Sequence, residues 1–210
     1  VVLCDNTLDA RIKTTEKMIS EHNYVLIHPY DNDNVIFGQG TAAYELVKEV
    51  DNLELIVAPL GGGGLLSGTA IAAKGLNSRI KVFGVEPEMA DDALRSLKAG
   101  KIIASDYPHT IADGLRTSLC PRTFNYIQQY VDEIVTVSEK EILEAMKFIW
   151  ERVKIVVEPS GAVSLAAVLQ DKLNVKNKSV GIIVSGGNLV LDTFFGEIAR
   201  KIKNRNHKKK

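Results

Sequence analysis

Apolar and polar positions follow two rhythms along this chain. Short runs rich in β-branched residues read as buried strands: Tyr24 to His28, Ile56 to Pro59, Lys81 to Val85, Ile134 to Val137 and Val180 to Val184. Val1 to Cys4 reads as a further strand, already under way at the first residue, and predicts a fragment whose earlier part is missing. Between these runs the spacing is helical. Helices are predicted from about Leu8 to His22 (Leu8, Ile12 and Met18 as a sparse apolar face), Val35 to Val50, from the glycines at 61–64 onward, and from about Asp91 to Ala99. Ser138 and Glu141 form a capping box that opens a helix to about Val153, another runs from Glu158 to near Gln170, and a last one follows Asn188. The stretch after Ala99, holding Thr110 to Gly114, reads as a long irregular connection.

Alternating strands and helices predict an α/β fold with an open, mostly parallel sheet and helices on both faces. The turn Asp31-Asn32-Asp33-Asn34 supplies an N-cap and marks a boundary. Residues 1–32 are then the remnant of a small domain, 33–203 a large domain and 204–210 a basic tail. Gly38-Gln39-Gly40 weakens the helix it lies in and invites close packing.

The sharpest local feature is the passage from Ile56-Val57-Ala58-Pro59-Leu60 into Gly61-Gly62-Gly63-Gly64 and on into Leu65-Leu66-Ser67-Gly68. Residues without Cβ let successive N–H groups turn toward one point, and the following helix adds the positive end of its dipole. This is a cradle for an anion, most simply a phosphate. In an open parallel sheet ligands lie beyond the carboxyl ends of the strands, where the glycines, Glu86 and Ser185-Gly186-Gly187-Asn188 all fall. The run lacks the Lys-Ser/Thr end of a Walker loop and the spacing of a dinucleotide fingerprint.

Composition narrows the field. With 210 residues, 45% hydrophobic and 25% charged, and a formal net charge of zero, the chain has the make-up of a globular domain with no overall bias toward nucleic acid. The basic stretch Arg200 to Lys210 reads as a solvated terminus. Cys4 and Cys120 offer neither metal spacing nor a disulfide framework. No apolar run reaches membrane-spanning length and no signal peptide is visible, so a cytoplasmic location is expected.

Pro59-Leu60-Gly61-Gly62-Gly63-Gly64-Leu65, Gly38-Gln39-Gly40-Thr41, Ile111-Ala112-Asp113-Gly114 and Ser185-Gly186-Gly187-Asn188 occur in an order that resembles the pyridoxal-phosphate-dependent serine/threonine dehydratases. Glu158-Pro159-Ser160-Gly161 draws the resemblance toward the serine racemase branch, and His28-Pro29-Tyr30-Asp31 toward the dehydratases. The resemblance implies a fold-type II enzyme (tryptophan synthase β-like). The N–H groups of Gly61, Gly62, Gly63, Gly64 and Leu65 would hold the cofactor phosphate, Ser185 would meet the pyridine nitrogen, and Gly114 and Glu158 would lie at the cofactor. It implies a divalent cation (Mg²⁺, Ca²⁺ or Mn²⁺) held by Glu86 and Asp92 with the Ala90 carbonyl, oxygen donors suited to a hard ion. Asn188 and Lys154 match positions that contact a nucleotide effector in mammalian serine racemase, but read here as local packing and surface charge. His28 reads as a hydrogen-bonded core histidine.

By the same resemblance the complete protein is expected to be an ammonia-lyase of L-serine or L-threonine, with dehydratase and serine racemase both left open as its activity, acting as a homodimer without nucleic acid or membrane. The family's Schiff-base lysine, in a Ser-Phe-Lys-x-Arg-Gly-type motif, and its Ser-Ser-Gly-Asn-His-Gly-type loop are not found in these residues. Lys74 and Lys81 lie outside any such motif, so no catalytic residue is assigned and this chain alone is expected to be inactive. No regulatory domain follows Lys203, so feedback by isoleucine is not expected. Two readings stand beside the enzyme: a non-catalytic phosphate- or nucleotide-binding module, and an inert truncated chain.

Overall fold

The computed structural model describes residues 1–5, 7–105, 108–192 and 196. The last predicted helix lies mostly, and the basic tail wholly, outside these residues. A four-stranded sheet forms the centre: β1 (Leu55–Pro59), β2 (Lys81–Pro87), β3 (Glu133–Val137) and β4 (Val180–Ile182) in the order β3-β2-β1-β4. Every pairing is parallel, and Val57 of β1 stands in register with Phe83 on one side and Ile182 on the other. All five residues of β1 are buried, which explains a continuous apolar run rather than an alternating one.

Alternation survives in which face each side chain meets. Leu55 and Val57 join Phe83 and Val85 in a cluster with Ile142, Met146, Val163 and Ala167. These last come from α7 (Glu139–Phe148) and α8 (Pro159–Leu169). Ile56 and Ala58 point the other way, with Val82, Leu66, Ala70 and Ile127. That layer is built by α4 (Gly64–Leu76) and α6 (Pro121–Tyr130), with α2 (Asp33–Gln39) and α3 (Thr41–Glu49) packed on α4. Helices therefore cover both faces, as expected for an α/β sheet.

Three sequence expectations need correction. Val1–Cys4 and Tyr24–His28 are not strands: among the described residues they pair with no other strand, and Leu3, Val25 and Ile27 are 91%, 88% and 73% exposed. β-propensity alone does not make a strand where no described neighbour supplies a ladder. They flank α1 (Leu8–His22), which matches the predicted helix and has no buried residue whose side chain is described. The helix expected from Val35 to Val50 is broken at Gly40 into α2 and α3. The irregular connection conceals α6, which starts with Pro121 at its first turn and a reciprocal cap between Cys120 and Thr123. α5 (Asp92–Ala99) and the Ser138/Glu141 capping box form as predicted, and α7 continues through a π-helical turn over Ile149–Val153.

Close helix approach explains two of the glycines. A Cβ on Gly68 would lie 2.1 Å from the Ile36 carbonyl oxygen, and one on Gly40 would lie 2.7 Å from that of Gly68. Gly38 and Gly75 face open space. Gly68→Ala is therefore expected to destabilise the protein by at least ~1–3 kcal/mol, because backbone atoms on α2 cannot yield cheaply. Gly75→Ala, in the same helix, should be neutral or stabilising by up to ~1 kcal/mol. Urea unfolding midpoints of the two variants against wild type check both.

Candidate functional site

β1 ends at Pro59, and the Leu60 N–H still reaches the Val85 carbonyl at 2.9 Å. The chain then leaves the sheet through Gly61, Gly62 and Gly63, and α4 begins at Gly64. Among the described residues the N–H groups of Gly61, Gly62 and Gly63 meet no protein acceptor. The first rung of α4 is Ser67 N–H to the Gly63 carbonyl, so Gly64 and Leu65 also lie in the turn whose donors have no intrahelical partner.

Each glycine is required for its own reason. Gly63 has φ of +89°, a left-handed conformation strained for other residues. A Cβ there would also strike α6, 2.8 Å from the Thr123 Cβ. At Gly62 it would lie 2.4 Å from the Tyr30 ring, at Gly64 2.9 Å from the Tyr30 Cβ, and at Gly61 3.0 Å from the Leu115 Cα. The loop is bare because its surroundings leave no room for side chains.

A cavity of about 390 Å³ opens in front of the loop, within the range of small-molecule sites. Its lining contains all eight of the residues that the sequence placed at the cofactor: Gly61, Gly62, Gly63, Gly64, Leu65, Gly114, Glu158 and Ser185. Residues from separate parts of the chain complete it: Arg11, Tyr30, Thr117 and Ser160, none of which was picked from sequence. Ser160 lies within Glu158-Pro159-Ser160-Gly161, and its hydroxyl accepts the Gly114 N–H at 3.0 Å. Arg11 and Thr117 carried no local signal. The N-termini of α4 and α8 both border the cavity, so two helix dipoles present their positive ends there.

Glu158 does not cap its own helix. Its Oε2 accepts the Asn188 N–H at 2.8 Å, and its own N–H donates to the Gly186 carbonyl at 3.1 Å. A Cβ on Gly161 would lie 2.7 Å from the Gly186 oxygen, and one on Gly187 2.3 Å from the Val156 oxygen. The loop bearing Ser185 is thus fastened to the start of α8, and Asn188 contributes main chain to that fastening. Lys154 sits at the left-handed end of the π-helical turn and donates to the Glu151 carbonyl. His28 is a half-buried turn-former rather than a core residue: its Nδ1 accepts the Asp31 N–H at 2.8 Å and the Tyr30 N–H at 3.3 Å.

The second predicted cluster lies at the end of β2. Glu86 and Asp92 are each 1% exposed, and Ala90 is buried beside them. Glu86 accepts the N–H groups of Ala93 at 3.0 Å and Leu94 at 2.8 Å. Burial still pushes its carboxyl up to about 8, with the charges of Asp92 and Asp91 adding to the rise. Burial pushes Asp92 up to about 6; its own backbone and Ser105 favour the charged form, but neither carboxylate oxygen has a donor in hydrogen-bond geometry. Among the described residues no group of three or more His, Cys, Asp or Glu gathers as a metal cluster. Two carboxylates and a carbonyl are what the chain offers. The orphaned Asp92 oxygens fit a cation that takes the rest of its shell from water.

Residues 1–186 match the family model described as pyridoxal-phosphate dependent enzyme. The chain is 51% identical over 197 residues to serine racemase of Dictyostelium discoideum, covering 92% of this chain and 61% of that protein. It is 47% identical over 189 residues to β-hydroxyaspartate dehydratase of Paracoccus denitrificans, covering 90% and 60%. The maize serine racemase structure superposes with a TM-score of 0.88 at 39% identity, over 98% of this chain and 64% of that one. The fold is that of the fold-type II enzymes, and the chain belongs to the pyridoxal-phosphate dependent enzyme family. It spans about three fifths of the length of these curated relatives. No described helix is long and apolar enough to cross a membrane.

Proposed function

We propose that the whole protein holds pyridoxal 5′-phosphate in the glycine-lined cavity and converts a small β-hydroxy amino acid to a 2-oxo acid and ammonia, with racemisation at Cα as the competing outcome. The water lost with the β-hydroxyl is taken up again in the hydrolysis that frees the ammonia. The carrying observation is that the glycine loop and Ser185, 121 positions apart by numbering, line one cavity of about 390 Å³. Residues 1–32 would belong to a second lobe, from which Arg11, Pro29 and Tyr30 reach the lining of the cavity.

The cofactor, when bound, supplies an electron sink for the negative charge left at Cα after its proton departs. The unpaired N–H groups of Gly61 to Gly64 and Leu65, with the α4 dipole, would hold its phosphate. Ser185 would present a hydroxyl to the ring nitrogen. A neutral hydroxyl does not favour protonation there as a carboxylate would, which leaves the sink weaker and suits expulsion of the β-hydroxyl. Ser160 and Gly114 close one wall, and Glu158 keeps the Ser185 loop on α8. No lysine occurs among the described lining residues, so the covalent anchor would come from the part of the protein outside these residues.

Arg11 favours a more specific substrate. It is the one cation among the described lining residues, and its charge is felt at the Tyr30 phenol. A second carboxylate, as in 3-hydroxyaspartate, would find its partner there. The orphaned Asp92 carboxylate, with Glu86 and the Ala90 carbonyl, would hold a divalent cation that stabilises the β2–α5 corner rather than taking part in the chemistry.

Three outcomes test these readings. The whole protein should bind pyridoxal 5′-phosphate with a visible absorbance band and release ammonia from L-serine or L-threo-3-hydroxyaspartate. Gly62→Ala should weaken cofactor binding at least about tenfold, the equivalent of one charge-assisted hydrogen bond; a protein with no band after cofactor is added refutes the reading. Arg11→Ala should lower kcat/KM for 3-hydroxyaspartate by roughly tenfold or more and leave that for serine nearly unchanged; equal losses remove the second carboxylate from the argument. EDTA should lower the melting temperature of wild type but not of Asp92→Ala, and an unshifted wild-type curve disposes of the cation.

A further inference from the structure

We propose that Arg122 is a positioning residue for the anion cradle: its guanidinium, held by Asp31 and Asp33 together, seats the Tyr30 ring on the bare main chain of Gly62 and Gly64. This rests on reading the glycine loop as a phosphate site. Arg122 itself does not line the cavity.

The geometry runs outward from the loop. The Tyr30 ring covers Gly62 so closely that an added Cβ would meet its Cδ1 at 2.4 Å and Cε1 at 2.5 Å. The His28 imidazole stands edge-on to that ring, 4.6 Å between centroids at 85°, and its Nδ1 gathers the next two N–H groups into a tight turn. Beyond the turn, Asp31 Oδ1 accepts Arg122 Nε at 2.9 Å, and Asp33 Oδ2 accepts the terminal Nη1 of the same guanidinium. The Tyr126 hydroxyl donates to the other Asp33 oxygen at 3.2 Å. Between them Asn32 caps α2 through the N–H groups of Asn34 and Val35. The position of Tyr30 is therefore set by residues on both sides of it, and Arg122 ties these to α6.

That helix also backs the loop. A Cβ on Gly63 would meet Thr123 and, at 3.0 Å, Ile127 Cδ1, both on α6. One helix thus grips the glycines twice: directly from behind through Thr123 and Ile127, and from the front through Arg122, the two aspartates and Tyr30. Four successive glycines have more conformational freedom to lose than any other tetrapeptide. A loop already pinned on two sides loses less on gripping an anion, which is how preorganisation raises affinity. Half-exposed ion pairs are individually weak, so the effect is a tuning of affinity rather than its source.

The test is a titration of the whole protein with pyridoxal 5′-phosphate and, in parallel, with pyridoxal, which lacks the phosphate. Arg122→Ala should weaken the phosphorylated ligand roughly three- to tenfold and leave pyridoxal unchanged, as expected from losing a pair of exposed ionic contacts; Tyr30→Ala should weaken the phosphorylated ligand at least as much. Tyr30→Phe should match wild type, since the ring and not the hydroxyl covers Gly62, and Arg122→Lys should fall between. High salt should bring wild type toward Arg122→Ala. If Arg122→Ala binds the phosphorylated ligand as wild type does, or weakens both ligands equally, the positioning role is wrong. If wild type itself prefers neither ligand, the phosphate reading has failed, and the clamp with it.

Discussion

Main-chain N–H groups left without partners at the end of a fully buried strand are the constraint from which the rest of the site follows. β1 delivers Gly61 to Gly63 beyond the edge of the sheet with no acceptor in reach among the described residues, and α4 aligns its dipole behind them. Unpaired donors of this kind are unfavourable unless solvent or a ligand satisfies them. The packing around the loop keeps it free of side chains: Tyr30, Leu115 and Thr123 occupy the volumes where they would otherwise stand. The bareness of the loop is in this sense a consequence of crowding on its other sides.

The parts of the fold that were legible in the sequence are those where local pattern and tertiary burial agree. The apolar runs of β1, β2 and β3 read as strands because both faces of the sheet are covered, and Ser138 with Glu141 announced α7 through a cap complete within four residues. Val1–Cys4 and Tyr24–His28 carried the same β-branched signal and form no ladder among the described residues, because pairing is a non-local property. α6 was hidden for the opposite reason. Its apolar face is short, resting on Phe124 and Ile127, and its start is capped by a cysteine, a residue not ordinarily read as a cap. In the site, glycines and the Ser185 turn were visible because their sequence is unusual. Arg11, Thr117 and Ser160 were not, since an arginine on an exposed helix, a threonine in a coil and a serine after proline look the same wherever they point.

Buried carboxylates form the second theme. Glu86 earns its place partly by accepting two N–H groups at the start of α5, as an N-terminal cap supplied from a neighbouring strand. Asp92 has no such excuse: it is buried, its oxygens have no donor, and burial lifts it well above the usual carboxylate range. Buried unsatisfied charge is costly enough that it rarely persists without a compensating ligand or function. Two acids of one corner thus meet burial differently: Glu86 is satisfied by main-chain donors, and Asp92 is not.

The fastening of the Ser185 loop to α8 has an evolutionary reading. Glu158 holds both Gly186 and Asn188, and Gly161 and Gly187 bring main chain against main chain at the same junction. Ser160, two residues along, faces the opposite wall at Gly114. Any substitution that displaces the first turn of α8 must therefore carry both walls of the cavity with it. Descendants of this fold can change what the cavity accepts by exchanging side chains such as Arg11, which hang from elsewhere, but cannot widen it one wall at a time.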